Sequence, residues 1–574
     1  LISKRWLVWS AIGLVLYFFI QVAPYFGSLQ DSGDFGMLTR EEAKSAALEA
    51  ATARFGIPAS DLGEARAAHL SDSEGVSYLS KEKLLEAYND AWDERFPTDV
   101  YRVDIPLGAE SKLELSLHMK TGELVAWRHA TEGRSTGGAD EDPALLVRQA
   151  RETLAEWGFA AEDWEPTGEV AADGAVGFQS RKAGLGEAKL QVFVKPAQRS
   201  QASSGTGAES SAAEDGILPD RAGSELRYRL LPPASFMQYL ESQEEKAALL
   251  SIYGSMLPQL VLLVLAVVYS GAYSSWTSYR RGAFLAPLFF VLYAAFTFNM
   301  APAFRAQAIE SGMGQPEAAA FGSIVFNLMM LAAMALLTYF SAVAGDGLWK
   351  SAGRDLWPSW RQPDYGRRVL AGMGRGYLLA FIVLGVQSVA LLALTFLLGS
   401  FSSSDVTQST YNMTYPWLMP LLAWCAGISE ELQTRLFGIG LFRRWLTGGA
   451  RRLLRREPSP RAAKALTFAA MLPASLLWAF GHVGYAIYPV HTRLIELVLI
   501  GCLFGWFMLR FGLIAVIFAH VSVNSILMGV QMLFDGLRVD LAGGLFSFAM
   551  PLLVAWAIWL LHRRFGSRPP SPSR

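Results

Sequence analysis

Cysteine is nearly missing from this chain. Its 574 residues include only Cys425 and Cys502, both inside apolar runs. Two thiols so placed exclude a disulfide-stapled extracellular scaffold and a CxxC metal site. Charge is scarce too: 18% of residues are Asp, Glu, Lys or Arg, against about 25% in a soluble domain. The net charge of −1 says little, because the two signs are segregated along the chain. There is no HExxH zinc signature, no Walker loop, no GxGxxG fingerprint and no nucleic-acid module. The Arg-rich loop 443–464 is accordingly read as a topology signal facing anionic lipid, with no nucleic acid as partner.

What the chain has in quantity is long apolar runs. Ten reach the length of about 20 residues that crosses a bilayer: 6–26, 247–272, 282–301, 321–344, 368–399, 415–441, 464–487, 491–510, 512–534 and 541–562. The first has a basic flank and no small-residue cleavage site after it, which reads as an anchor. Lys and Arg crowd alternate loops: Arg280 and Arg281, then Lys350 to Arg368, then eight residues from Arg443 to Lys464, then Arg563 onward. By the positive-inside rule both termini are cytoplasmic and 27–246 lies outside. A bacterial cell membrane is the expected location.

Segment 27–246 is soluble in character and internally repeated. A capping box at Thr39–Glu42 opens one helix, and Asp142 with Pro143 opens another. "FGIPASDLGE" after the first matches "WGFAAEDWEP" after the second at an offset of 102 residues. Strand-like material follows each, as in "KLELSLHMKTGELVAW" at 112–127. The two helix-plus-strands units resemble the PepSY type of extracytoplasmic domain. Its ligand is unreadable. Residues 199–216 read as disordered by composition, and 563–574 as a free basic tail.

Chemistry concentrates in three of the runs. Glu430, Glu431 and Arg435 occur in the sixth, where each buried charge costs about 2.5–3.5 kcal/mol on insertion scales. Glu431 and Arg435 share a helical face and can pair. Glu430 points about 100° away and needs another partner. The seventh run has Trp478 and His482, and the ninth has His520 and Asn524, each four apart. At about 1.5 Å per residue these heights are compatible with one polar cavity. His491, Arg493 and Glu496 read instead as an interfacial cluster at a helix end. Asn412-Met413-Thr414 is a glycosylation sequon.

The series Glu430-Glu431-x-x-x-Arg435, Trp478-x-x-x-His482 and His520-x-x-x-Asn524 resembles the three motifs of the CPBP family of intramembrane proteases, which includes the CAAX prenyl endopeptidase and bacteriocin-immunity relatives. Trp478 stands where Phe is usual, a modest change for an apolar aromatic. Leu436 stands where many members have Gly. The resemblance implies an eight-helix protease core at 282–562, preceded by the anchor 1–26, the domain 27–246 and a second membrane helix with its loop at 247–281. The expected fold class is an all-α polytopic membrane protein with an inserted α+β extracytoplasmic domain. The resemblance further implies that Glu430 activates water and His482 orients it, while His520 and Asn524 stabilise the oxyanion. Glu431, Arg435 and Trp478 support the site. No cofactor is expected, the substrate being a membrane-associated protein or peptide. A zinc site on Glu430, His482 and His520 is the chemical alternative. A catalytically silent scaffold or immunity-type protein of the same fold is the functional alternative. A transporter fits less well, since the polar groups converge rather than form a ladder.

Overall fold

The computed structural model describes residues 4–26, 36–108, 111–131, 143–171, 174–182, 184–196 and 224–566. The stretch 199–216, Asp142 and the tail beyond 566 lie outside the described residues. Nine helices among the described residues are long and apolar enough to cross a membrane. They are α1 (Lys4–Phe26), α6 (Ala234–Ala272), α7 (Tyr279–Asn299), α9 (Pro316–Ser351), α10 (Tyr365–Leu398), α12 (Pro460–Phe480), α13 (Val490–Phe511), α14 (Leu513–Phe534) and α15 (Leu541–Phe565). The chain is a polytopic, mostly helical integral membrane protein. The expected sixth span is also helical. It runs through residues 420–454 as α11, an α-helix Pro420–Glu430, a π-helix Glu431–Gly438 and a second α-helix Ile439–Leu454. The close grouping of Glu430, Glu431 and Arg435 sets it apart from the nine.

Three boundaries differ from those expected. Helix α6 starts 13 residues before 247, so no break separates the soluble domain from the second membrane helix. A short helix, α8 (Ala301–Glu310), continues from α7 past its expected end. Helix α12 stops at Phe480, short of 487.

The segment before α6 is an eight-stranded antiparallel sheet with helices packed on it. After helix α2 (Arg40–Phe55) come β1 (Arg66–Ser71), α3 (Ser73–Glu82), α4 (Leu85–Trp92), β2 (Asp99–Pro106), β3 (Ser111–His118) and β4 (Leu124–Thr131). After helix α5 (Pro143–Glu156) come β5 (Trp164–Val170), β6 (Val176–Ser180), β7 (Lys189–Lys195) and β8 (Glu225–Leu231). The strand order β1-β2-β3-β4-β8-β7-β6-β5 joins two four-stranded units edge to edge. Thr39 caps α2 by accepting from the Glu42 N–H while Glu42 reaches back to the Thr39 N–H. Short 3₁₀ turns at Ala59–Asp61 and Ala161–Asp163 keep the 102-residue offset. Inward residues such as Val103, Ile105, Leu115, Phe178 and Val192 are fully buried. Each such side chain stabilises the fold by about 1.5–3 kcal/mol.

The sheet sits on one end of the bundle. The Asn412 carboxamide accepts from the His69 N–H and donates to the His69 carbonyl, both at 2.9 Å. It thereby pairs with the outer strand β1 as a neighbouring strand would. Asn412 is fully buried, so the folded protein does not present this sequon. Arg305, at the same end, meets Asp104 at 2.5 Å and Glu317 at 3.0 Å. The basic loops gather at the opposite end, where Arg281 donates to the Trp357 carbonyl and Arg354 to that of Leu509.

Candidate active site

The site lies where α11, the end of α12, and α14 meet around a cavity of about 880 Å³. Helix α11 changes from α to π between Glu430 and Glu431. Such wide turns strain the helix ladder and occur frequently at functional sites. Here the two adjacent carboxylates end up in different surroundings.

Glu430 lines the cavity. The Trp478 indole N–H donates to its Oε2. His482 Nε2 stands 3.7 Å from Oε1 and His520 Nε2 stands 3.9 Å from Oε2. Glu431 is turned away from the cavity and fully buried. His520 Nδ1 donates to its Oε1 at 2.8 Å, and Arg435 Nη1 lies 3.4 Å from the same oxygen. The nearer partner of Glu431 is thus His520. Arg435 is 1% exposed, and its guanidinium lies 4.1 Å from the Trp478 ring centre and 5.4 Å from that of Phe504. Aromatic faces therefore add to the ionic partner in compensating its burial.

His482 does not lie inside a helix, as its position in the seventh run suggests. It occupies the turn just after Phe480. Its Nδ1 still reaches back to the Trp478 carbonyl at 2.8 Å. A carbonyl only accepts, so Nδ1 carries the hydrogen and Nε2 is left toward Glu430. Asn524 lies one turn beyond His520 and lines the same cavity.

Two departures from the motif pattern acquire a physical meaning. Trp478 is more than an apolar aromatic, since a Phe has no N–H to give Glu430. Leu436 is fully buried against Gly345 of α9, where a Cβ would come within 2.8 Å of the Leu436 side chain. The facing helix has made the room that Leu436 takes.

The cluster read as interfacial is only partly so. His491 is exposed. Glu496, however, is fully buried; it accepts from Arg493 at 2.7 Å and from Gln387 at 2.7 Å. Arg493 lines the cavity and lies over the Tyr485 ring, which stacks on His482 at 5.9 Å between ring centres. Ser251, Ser255 and Gln259 of α6 also line it. The signal for these was available: three polar residues at a spacing of four in an otherwise apolar run. No group of three or more His, Cys, Asp or Glu side chains placed to hold a metal ion occurs among the described residues.

Residues 412–526 match the Rce1-like family, described as type II CAAX prenyl endopeptidase Rce1-like. The match takes in all three motif stretches and leaves out α6 and the sheet. No curated protein and no solved structure matches the chain.

Proposed function

With an Rce1-like domain of the CAAX protease family at residues 412–526 as the premise, we propose that this membrane protein is an intramembrane endopeptidase in which Glu430 is the general base. The observation that carries the reading is the convergence of Glu430 from α11, His482 from the turn after α12, and His520 and Asn524 from α14 on one cavity.

A water within hydrogen-bond reach of both Glu430 Oε1 and His482 Nε2 is held between a base and an orienting ring, at the distances general base catalysis needs. Glu430 takes its proton as the oxygen attacks the peptide carbonyl. The tetrahedral oxyanion is met by His520 Nε2–H and the Asn524 amide N–H, and the proton passes from Glu430 to the departing amine. The His520 ring holds its other hydrogen toward Glu431, which is the counter-charge of that ring. Each oxyanion donor contributes about 2.7–4 kcal/mol to the transition state. The reaction needs no metal in this reading; in a zinc-dependent variant, Glu430, His482 and His520 would be the ligands. The substrate is a membrane-associated protein or peptide, and the sheet faces the outside of the cell.

The test is cleavage of an internally quenched peptide by the purified full chain in lipid nanodiscs. Glu430→Gln keeps size and hydrogen bonding but cannot take a proton, so cleavage should cease while the protein stays folded. Asn524→Ala should lower turnover by about 10²–10³. A chelator should leave activity unchanged. Inhibition by the chelator with recovery on added zinc would replace the glutamate reading with the metal one. Full turnover by Glu430→Gln would leave the silent scaffold in front.

A further inference from the structure

Helix α6 lies outside the family match, yet it forms a wall of the cavity beside the motif residues. Two contacts bring it close. A Cβ on Gly254 would sit 2.5 Å from the Phe480 ring, and a Cβ on Gly481 would sit 3.2 Å from Ser255 Oγ and 3.9 Å from Gln259 Nε2. Bare backbone at Gly254 allows this approach, a Cβ at Gly481 would fit only tightly, and Gly481 immediately precedes His482. Helix α6 is also π-helical here, over Ser251–Met256. Two π segments, on α6 and α11, therefore border one cavity.

Polar side chains in a membrane helix are costly unless they meet a partner or a polar cavity. Ser255 and Gln259 meet both. Gln259 Nε2 donates to Ser255 Oγ at 2.8 Å. A carboxamide has two donor hydrogens and two acceptor lone pairs, so one bond leaves most of its capacity to the cavity. A peptide must be unwound to be cleaved, and its freed N–H and C=O groups need partners in a water-poor space. Gln259 offers a donor and an acceptor beside Gly481, the residue before His482.

We propose that Ser255 and Gln259 form a binding wall for the backbone of an extended peptide, holding it against the His482–Glu430 side of the cavity. This rests on the protease reading but names a different element, with a different role: these residues position substrate and do not touch the reacting proton. Helix α6 also joins the wall to the sheet. Phe236 and Leu240 near its start are buried in the sheet core, and Gln243 accepts from the Val490 N–H at 3.1 Å.

The experiment uses the full chain in nanodiscs and a decapeptide of Ala, Leu and Val, internally quenched for kinetics and labelled at one end for anisotropy. Gln259→Met keeps volume and removes the hydrogen bonds; Ser255→Ala removes the partner. Each should raise KM by about three- to tenfold, the size of one net hydrogen bond, with kcat within twofold. The same loss should appear as weaker equilibrium binding of the labelled peptide when Gln259→Met is added to Glu430→Gln. Leu260→Ala, on the exposed side of the same helix, should change neither quantity. Unchanged peptide binding in Gln259→Met overturns the proposal, as does an equal loss in Leu260→Ala. Binding is read without turnover, so a failure of the protease chemistry leaves this outcome intact.

Discussion

Glu431→Gln is the substitution for which the structure makes the most demanding forecast. The side chain changes by one atom, yet the position is fully buried. It removes the only carboxylate within 4 Å of Arg435 among the described residues. Arg435 Nε and Nη2 already have no hydrogen-bond partner, and the other nearby carboxylate, Glu430, forms no ion pair with the guanidinium within 4 Å among the described residues. Breaking a buried ion pair from one side costs about 3–5 kcal/mol. The rings of Trp478 and Phe504 stay in place and retain a cation–π attraction of about 0.5–2 kcal/mol. The new carboxamide oxygen can still accept from His520 Nδ1. The ring contacts are common to wild type and variant, and the retained bond to His520 puts the expected loss at the lower end of the range, about 3 kcal/mol. Denaturant unfolding of the detergent-solubilised protein, followed by tryptophan fluorescence, should register it. The double variant Glu431→Gln with Arg435→Met should recover at least ~1 kcal/mol of that loss, because no charge is then stranded. A single variant as stable as wild type would refute the reasoning. So would a double variant no better than the single one.

One further outcome follows from groups at the sheet end and another from the topology. Burial, and next the neighbouring Asp540, push the Asp535 carboxyl up to about 8, against the Leu537 N–H that pulls it down. An acid raised from 3.8 holds a proton in the folded state that the unfolded chain has lost. Stability should therefore fall as pH rises from about 4 to about 8 and level off above. Tyr411, Tyr101 and Arg40 also border this cluster, and none loses its proton in that window. The slope of the thermal midpoint against pH should shrink in Asp535→Asn; an unchanged slope would place the titrating group elsewhere. For orientation, tags after the last residue and in the 443–464 loop should be protected in sealed cells, while a tag in 199–216 should be open to added protease. The reverse pattern would invert the proposed topology.

The membrane helices were legible because lipid demands an uninterrupted apolar run, and that demand is written locally. Their ends were less legible. Helix α6 continues 13 residues before its apolar run because Phe236 and Leu240 bury themselves in the sheet rather than in lipid, and hydropathy cannot tell one apolar host from the other. The placement of His482 departs from the expected helix for a related reason. The apolar run continues past Phe480, but the backbone leaves the helix at Gly481, where α6 presses against it. The motif spacing predicted that Glu431 and Arg435 share a face. It did not predict that His520, 89 positions away, is the closer partner. Spacing within a helix reveals neighbours on that helix and is blind to contacts across the bundle. Arg493 and Glu496 read as interfacial on the same ground, since a charge near a helix end reads as wet until a neighbour such as Gln387 is seen to cover it.

Trp478 shows what the cross-helix contacts accomplish together. Its indole N–H is given to Glu430, its ring face to Arg435, and its backbone carbonyl to His482 Nδ1. Its ring edge meets the His520 ring at 5.8 Å between centres. Arg435 and His520 are in turn the two partners of Glu431. One side chain therefore touches both halves of the charge arrangement, the carboxylate that faces the cavity and the cation that stands behind it. A Phe at this position keeps the face for Arg435 and the carbonyl for His482, and gives up only the bond to Glu430. That makes the indole N–H the separable part of the design. It acts on the orientation of Glu430, while the ring acts on the stability of the buried charges. The departure of this chain from the common motif thus falls on the Trp478 contact that reaches the cavity-facing carboxylate of Glu430, and leaves the scaffold beneath it unaltered.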